Sequence, residues 1–200
     1  MRIYALVWIF CVLAAVGLLA WMGTSVIPQS SAPASRGEAL IGGPFTLSDA
    51  TGKPVTEQDF AGRYMLVYFG FTHCPDICPT GLLLIGNALE QLDPALRARV
   101  TPIFVSLDPE RDTPEVMGNY VQHFSPQLVG LTGTPEQIAR IAEAYKVYYR
   151  KVENEDSALG YMIDHSGYMY LMGPDGKYLA HFPHHISEAS LTEGLAKFVR

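Results

Sequence analysis

Leu66-Val67-Tyr68-Phe69-Gly70-Phe71-Thr72-His73-Cys74-Pro75-Asp76-Ile77-Cys78-Pro79-Thr80 is the stretch whose reading decides the fold. Its apolar, aromatic-rich start reads as a buried strand, because nearly every position wants an apolar neighbour. The run breaks at Thr72, crosses a short turn and restarts at Pro79 as a helix. Proline suits the first helical position, where it withholds no N–H that could be paired and pre-sets φ. Cys74 and Cys78 therefore stand in a strand-to-helix turn, where helix N–H groups favour thiolate over thiol. One helical turn separates Cα atoms by about 6 Å, inside the disulfide range of about 4.4–6.8 Å. The pair can oxidise, or it can grip one soft metal ion. These residues alone leave both chemistries open.

The 200-residue chain is 48% hydrophobic, which suggests a membrane element beside one globular domain. Ile3 to Met22 carries no charged side chain, and about twenty helical residues span the ~30 Å core of a bilayer. Tyr4 and Trp21 lie near the two ends of that run, where such rings gather. A cleaved signal peptide has an apolar region of only about 7–15 residues, so this longer run reads as an uncleaved transmembrane anchor over 1–22. Cys11, inside it, reads as a structural membrane residue. Arg2 is the sole basic side chain before Arg36, which places the short N-terminus in the cytoplasm and everything after Met22 outside. The formal net charge of −6 argues against a nucleic-acid partner and offers no basic patch to anionic lipid. Outside the cytoplasm, a dithiol stays reduced only by deliberate upkeep.

Residues 23–42, rich in Ser, Ala, Pro and Gly, read as a flexible linker. The globular domain is expected over 43–200, a comfortable single-domain size. Residues 44–56 look like a hairpin around Asp49-Ala50-Thr51-Gly52-Lys53. A central strand over 65–71 leads to a helix over 79–92, and Val100 to Leu107 is the next strand. Asp112-Thr113-Pro114-Glu115 signals a helix start reaching Phe124, and Thr134-Pro135-Glu136 caps another helix after a short strand at 128–131. Val147 to Val152 is expected as an edge strand. Tyr168 to Met172 and Tyr178 to Phe182 pair across Pro174-Asp175-Gly176-Lys177, and Ser187 caps a last helix. Strands alternating with helices predict an α/β sandwich, a central mixed sheet flanked by helices, of which the thioredoxin-like fold is the commonest small form with cysteines after a central strand.

Thiol–disulfide chemistry needs only the two sulfurs. A copper site wants soft thiolates plus an imidazole, thiolate favouring Cu(I) and histidine also accommodating Cu(II). Asp164-His165 supplies a candidate donor, although a lone histidine is by default a surface or core residue, and the residues alone leave its role open. Asp76 and Asp164 are candidates to orient ligands or neighbouring N–H groups. His73 reads as a loop residue, and His181, His184 and His185 as a surface cluster. Asp108, Glu110, Arg111 and Asp112 form a charged loop that either borders the site or is a solvated helix entry.

The blocks Phe69 to Thr80, Ser106-Leu107-Asp108-Pro109-Glu110-Arg111-Asp112-Thr113-Pro114, and Asp164-His165-Ser166 through Tyr170-Leu171-Met172-Gly173-Pro174-Asp175-Gly176 resemble, in order, the signatures of the Sco/SenC family. The resemblance covers roughly 42–183. It implies a membrane-tethered, thioredoxin-fold protein that binds one copper, as Cu(I) or Cu(II), through Cys74, Cys78 and His165. It also implies a role in assembling the dinuclear copper centre of cytochrome c oxidase subunit II. Another copper chaperone or a thiol reductase is a further implied partner. Because family roles are mixed, the alternative implied is that Cys74 and Cys78 are a redox-active pair, able to form a disulfide, in a thiol reductase or, last, in a redox or copper sensor. Thioredoxin-like oxidoreductases usually carry a cis-proline just before the strand facing the cysteines; Asp164-His165 is expected there instead, completing a three-donor site. The location implied is the bacterial cytoplasmic membrane with the domain in the periplasm, or else the mitochondrial inner membrane facing the intermembrane space. The lack of an Arg- and Ser-rich transit segment favours the bacterial one.

Overall fold

The structure, a computed structural model, describes residues 40–153 and 160–200. The expected anchor over 1–22, Cys11 and nearly all of the linker lie outside the described residues. Among the described residues no helix is long and apolar enough to cross a membrane.

The centre is β3 (Tyr64–Gly70), reached through β1 (Thr46–Ser48), β2 (Pro54–Thr56) and a short 3-10 turn over Glu57–Phe60. Every residue of β3 is buried, as is every residue of β4 (Val100–Ser106). Such unbroken burial belongs to strands covered on both faces, and it explains the near-continuous apolar runs in the sequence. β4 pairs parallel with β3, and β5 (Val129–Leu131) parallel with β4. On the other side of β3 lies β8 (Tyr168–Met172), antiparallel to it, with β9 (Tyr178–Pro183) antiparallel beyond. The sheet is therefore mixed, in the order β5-β4-β3-β8-β9.

Among the described residues five helices flank it: α1 (Ile77–Gln91), α2 (Pro94–Arg97), α3 (Pro114–Val121), α4 (Pro135–Ala144) and α5 (Glu188–Phe198). Thr113, Thr134 and Ser187 cap α3, α4 and α5 through side-chain oxygens that accept N–H groups of the first turn. α1 packs on β3 with Gly81 against the Tyr68 ring, where an added Cβ would come within 2.9 Å of that ring. Thr192 of α5 in turn donates to Ala88 O of α1. Full burial of Phe69, Phe104 and Leu82, each contributing about 1.5–3 kcal/mol by leaving water, fixes the sheet that carries the site.

Two expectations need correction. α1 starts at Ile77 rather than Pro79, with Asp76 as its N-cap residue. Pro79 thus occupies the third helical position, still among the four whose N–H has no partner within the helix. The expected edge strand near 147–152 is β6 (Tyr149–Glu153). It joins no edge of the main sheet but pairs antiparallel with β7 (Tyr161–His165), a strand absent from the sequence reading.

Candidate metal centre

Cys74 lies in the loop leaving β3, half-buried, and donates its N–H to Phe71 O at 3.3 Å. Cys78 is the second residue of α1 and is fully buried (0% exposed). Because α1 begins early, the Cys78 N–H has no helical acceptor; it donates to Cys74 Sγ at 3.4 Å instead. Gly70 makes room for the second sulfur, since a Cβ there would stand 2.6 Å from Cys78 Sγ. Neither of the two is in a disulfide.

His165 ends β7 and reaches across to the pair, its Nε2 3.5 Å from Cys78 Sγ. Its Nδ1 lies 3.1 Å from Ser166 O, an atom that only accepts, so Nδ1 carries the proton and Nε2 the lone pair. Phe71 meets the imidazole edge-on with ring centroids 6.1 Å apart. Cys74 and His165 share the wall of an open groove of about 440 Å³, with Ile77, Tyr148 and Met162 as its apolar lining.

The two sulfurs are electrostatically unlike. Cys74 is held down at about 4, chiefly because the Cys78 thiol donates to it, with help from the N–H groups of Asp76 and Cys78, against the opposing cost of burial. Cys78 is pushed far up because it is the donor in that pair, is desolvated, and faces the Cys74 charge. One thiolate and one thiol share a proton-bearing contact, and an imidazole with a free lone pair adjoins them. Among the described residues no three His, Cys, Asp or Glu side chains already stand at the spacing one ion demands; the three donors adjoin without being closed.

The flanking acids divide. Asp164 does not orient His165: it is exposed and pairs with Arg150 at 3.2 Å, leaving the ring to the Ser166 carbonyl. Asp76 acts on Cys74 through its backbone N–H. Asp112 is fully buried and accepts from Thr72 N–H at 3.0 Å, from the Thr72 hydroxyl and from Ser106 Oγ at 2.6 Å, pinning the start of the cysteine loop to the end of β4. Asp108 is buried too, so the charged loop is not simply a solvated helix entry. The sequence reading gave no role to Gly70, Ser106 or Thr72, and only the Asp-Pro-Glu-Arg-Asp-Thr-Pro block hinted at this network. His73 is an exposed loop residue beside Thr72 and Asp112. His181 and His185 are exposed, and His184 contacts Gly167 O.

A mixed sheet, flanking helices, and a cysteine pair spanning a strand-to-helix turn define a thioredoxin-like protein with a dithiol–imidazole centre. The SCO1/SenC family model matches residues 33–200, and the chain belongs to that family. It is 46% identical over 166 residues to protein SCO1 homolog 1, mitochondrial, of Arabidopsis thaliana, covering 83% of this chain and 49% of that protein. The chain thus spans about half the length of this plant relative. The structure of Arabidopsis thaliana ScoI with copper bound is 45% identical with a TM-score of 0.73, covering 78% of this chain and 96% of that one. Bradyrhizobium japonicum ScoI with copper bound is 41% identical with a TM-score of 0.71, covering 79% of this chain and 99% of that one.

Proposed function

We propose that this chain is a membrane-tethered copper chaperone. It holds one copper through Cys74 Sγ, Cys78 Sγ and His165 Nε2 and delivers it to the dinuclear copper centre of cytochrome c oxidase subunit II. The observation that carries this reading is the approach of His165 Nε2, lone pair outward, to within 3.5 Å of Cys78 Sγ at the end of a strand remote in sequence. Likeness to two relatives whose structures hold copper supports it. Two sulfurs and one imidazole make a soft donor set. Two of the three donors, Cys74 and His165, line an open groove, which leaves one side of the ion free for incoming ligands of a partner, as transfer of a cargo ion requires. Copper binding releases the Cys78 proton, because the ligand is the thiolate. The site belongs outside the cytoplasm, in a bacterial periplasm or a mitochondrial intermembrane space.

The test is a titration of the purified protein with Cu(I) and, separately, Cu(II), counting bound metal and free thiols together. The wild type is expected to bind one equivalent. Cys78→Ala is expected to lose stoichiometric binding with its fold intact, and His165→Ala to bind at least about tenfold more weakly. One tight copper retained by Cys78→Ala removes the proposed site.

The depressed Cys74 favours a second reading, a thiol–disulfide reductase. In it the Cys74 thiolate attacks a partner disulfide, one partner sulfur leaves as thiolate, and Cys78 then displaces the other while Cys74–Cys78 forms. The partner gains two electrons and the pair loses two. That reading predicts His165→Ala to leave reductase turnover unchanged.

A further inference from the structure

His165 rides on a weakly framed element. β6 and β7 pair only with each other among the described strands. β7 is bordered by the site groove of about 440 Å³ through Met162, Ile163, Asp164 and His165, and by a second cavity of about 200 Å³ through Tyr161 and Ile163. Of the five β7 residues only Ile163 is buried, with Tyr161 and Met162 packed partly against the core, so packing holds the strand chiefly at its middle. A second tie is needed to fix its end against the cysteine loop.

The opposite end of β7 supplies it. Tyr161 donates its hydroxyl to Asp108 Oδ1 at 2.8 Å, and Asp108 is only 2% exposed. Arg111 Nε holds the other oxygen of the same carboxylate, and Arg111 Nη1 donates to Tyr161 O at 3.3 Å. The Arg111 guanidinium lies 3.7 Å from the centre of the Tyr161 ring, and Lys151 of β6 lies 3.8 Å from it while pairing with Glu110 at 3.0 Å. Arg111 also lies 6.0 Å from the Phe71 ring, the ring that meets His165 edge-on. One guanidinium therefore touches the start of β7 and the aromatic wall of the imidazole at its end.

We propose that Tyr161 and Arg111 are positioning residues: by locking β7 to the loop after β4 they hold His165 against Cys74 and Cys78. The proposal rests on the reading of His165 as a copper ligand. The physical reason is the buried Asp108. With β7 docked, its Oδ1 is satisfied by Tyr161; without that hydroxyl, docking leaves a buried carboxylate oxygen unpaired, whereas undocking returns it to water. Removing one oxygen atom from Tyr161 thus penalises the docked state alone, and copper affinity falls with the population that presents His165.

The experiment is a double-mutant cycle on the full chain: wild type, Tyr161→Phe, His165→Ala and the double variant. Cu(I) affinity is measured by competition with a chromophoric chelator, and amide hydrogen exchange is followed at 161–165. Tyr161→Phe is expected to weaken copper binding about three- to tenfold in the wild-type background and to have no effect in the His165→Ala background. It is also expected to speed exchange in β7 while β3 and β4 keep their protection. Arg111→Lys, which keeps the charge and loses the fork, is expected to behave likewise. Equal weakening in both backgrounds overturns the proposal, because the effect then does not pass through His165; so does no weakening in either. If His165→Ala itself leaves copper affinity unchanged, the ligand reading fails instead. Exchange at 161–165 then decides the lock, with unchanged rates in Tyr161→Phe overturning it.

Discussion

Cys74 and Cys78 are the same residue type one helical turn apart, yet the fold separates their acidities in opposite directions. Cys74 collects donors, from the Cys78 thiol and two backbone N–H groups, and its pKa falls to about 4 from the ordinary 9.0. Of the pair, iodoacetamide should therefore alkylate Cys74 and spare Cys78, at a rate nearly constant from neutral pH downwards and dropping only as pH falls through about 4. The linked stability has a definite sign. Between about 4 and 9.0 the folded protein binds fewer protons at Cys74 than the unfolded chain, so stability from this group is complete above 9.0 and is lost as pH falls towards 4. Cys78, raised instead, opposes it only above 9.0, where the unfolded chain sheds a proton that the folded one keeps. Urea unfolding of the reduced protein at pH 5 to 8 should show stability rising with pH, and Cys74→Ser should flatten that slope. A Cys74 reactivity that titrates near 9 contradicts the assignment. The sequence showed that a helix N-terminus would favour a thiolate, but not which sulfur would hold it. That depends on α1 starting at Ile77, which sends the Cys78 N–H to Cys74 rather than the reverse.

At the scale of elements, the site is a junction of β3, α1 and β7, and Gly70 is where the first two meet. A Cβ at Gly70 would stand 2.6 Å from Cys78 Sγ and 2.8 Å from the Phe104 ring. Gly70→Ala must move both, or shift the strand that carries residue 70, since each contact is under 3.0 Å. The expected cost is about 1–3 kcal/mol of stability from overpacking, measured by chemical denaturation, with weaker copper binding because the sulfur is displaced. Unchanged copper affinity would mean that the strand yields and the site does not. β3, β4 and β8 were legible because strands covered on both faces leave continuous apolar runs, as Met65 to Phe69 and Ile103 to Val105 do. β7 was not, because Tyr161-Met162-Ile163-Asp164-His165 shows neither a continuous run nor an alternation. One of its ties to the body is a hydroxyl on a carboxylate 53 positions away. For the same reason the charged loop after β4 could not be sorted from sequence. Asp112 and Glu110 stand two positions apart, but Asp112 finds Thr72 and Ser106 and is buried, while Glu110 finds Lys151 and is exposed.

For the whole molecule, every group that the copper reading needs lies in the compact unit Ala39–Arg200. The apolar run Ile3 to Met22 is therefore expected to act on where the domain works, not on what it binds. If residues 23–42 act as the flexible linker that their composition predicts, a reach of about 25 Å for some twenty such residues would confine the domain to one membrane face and raise its effective concentration near a membrane-bound acceptor. Deleting residues 1–22 should then release the protein from carbonate-washed membranes, leave one copper per chain and the His165 dependence intact, and lower delivery to the oxidase in cells that rely on this protein. The full chain should resist the same wash and require detergent. If the full chain is instead extracted by carbonate, the anchor reading is wrong. If the truncated protein supports oxidase assembly as well as the full chain, the acceptor does not depend on tethering, and the groove beside Cys74 and His165 must by itself supply the affinity for its partner.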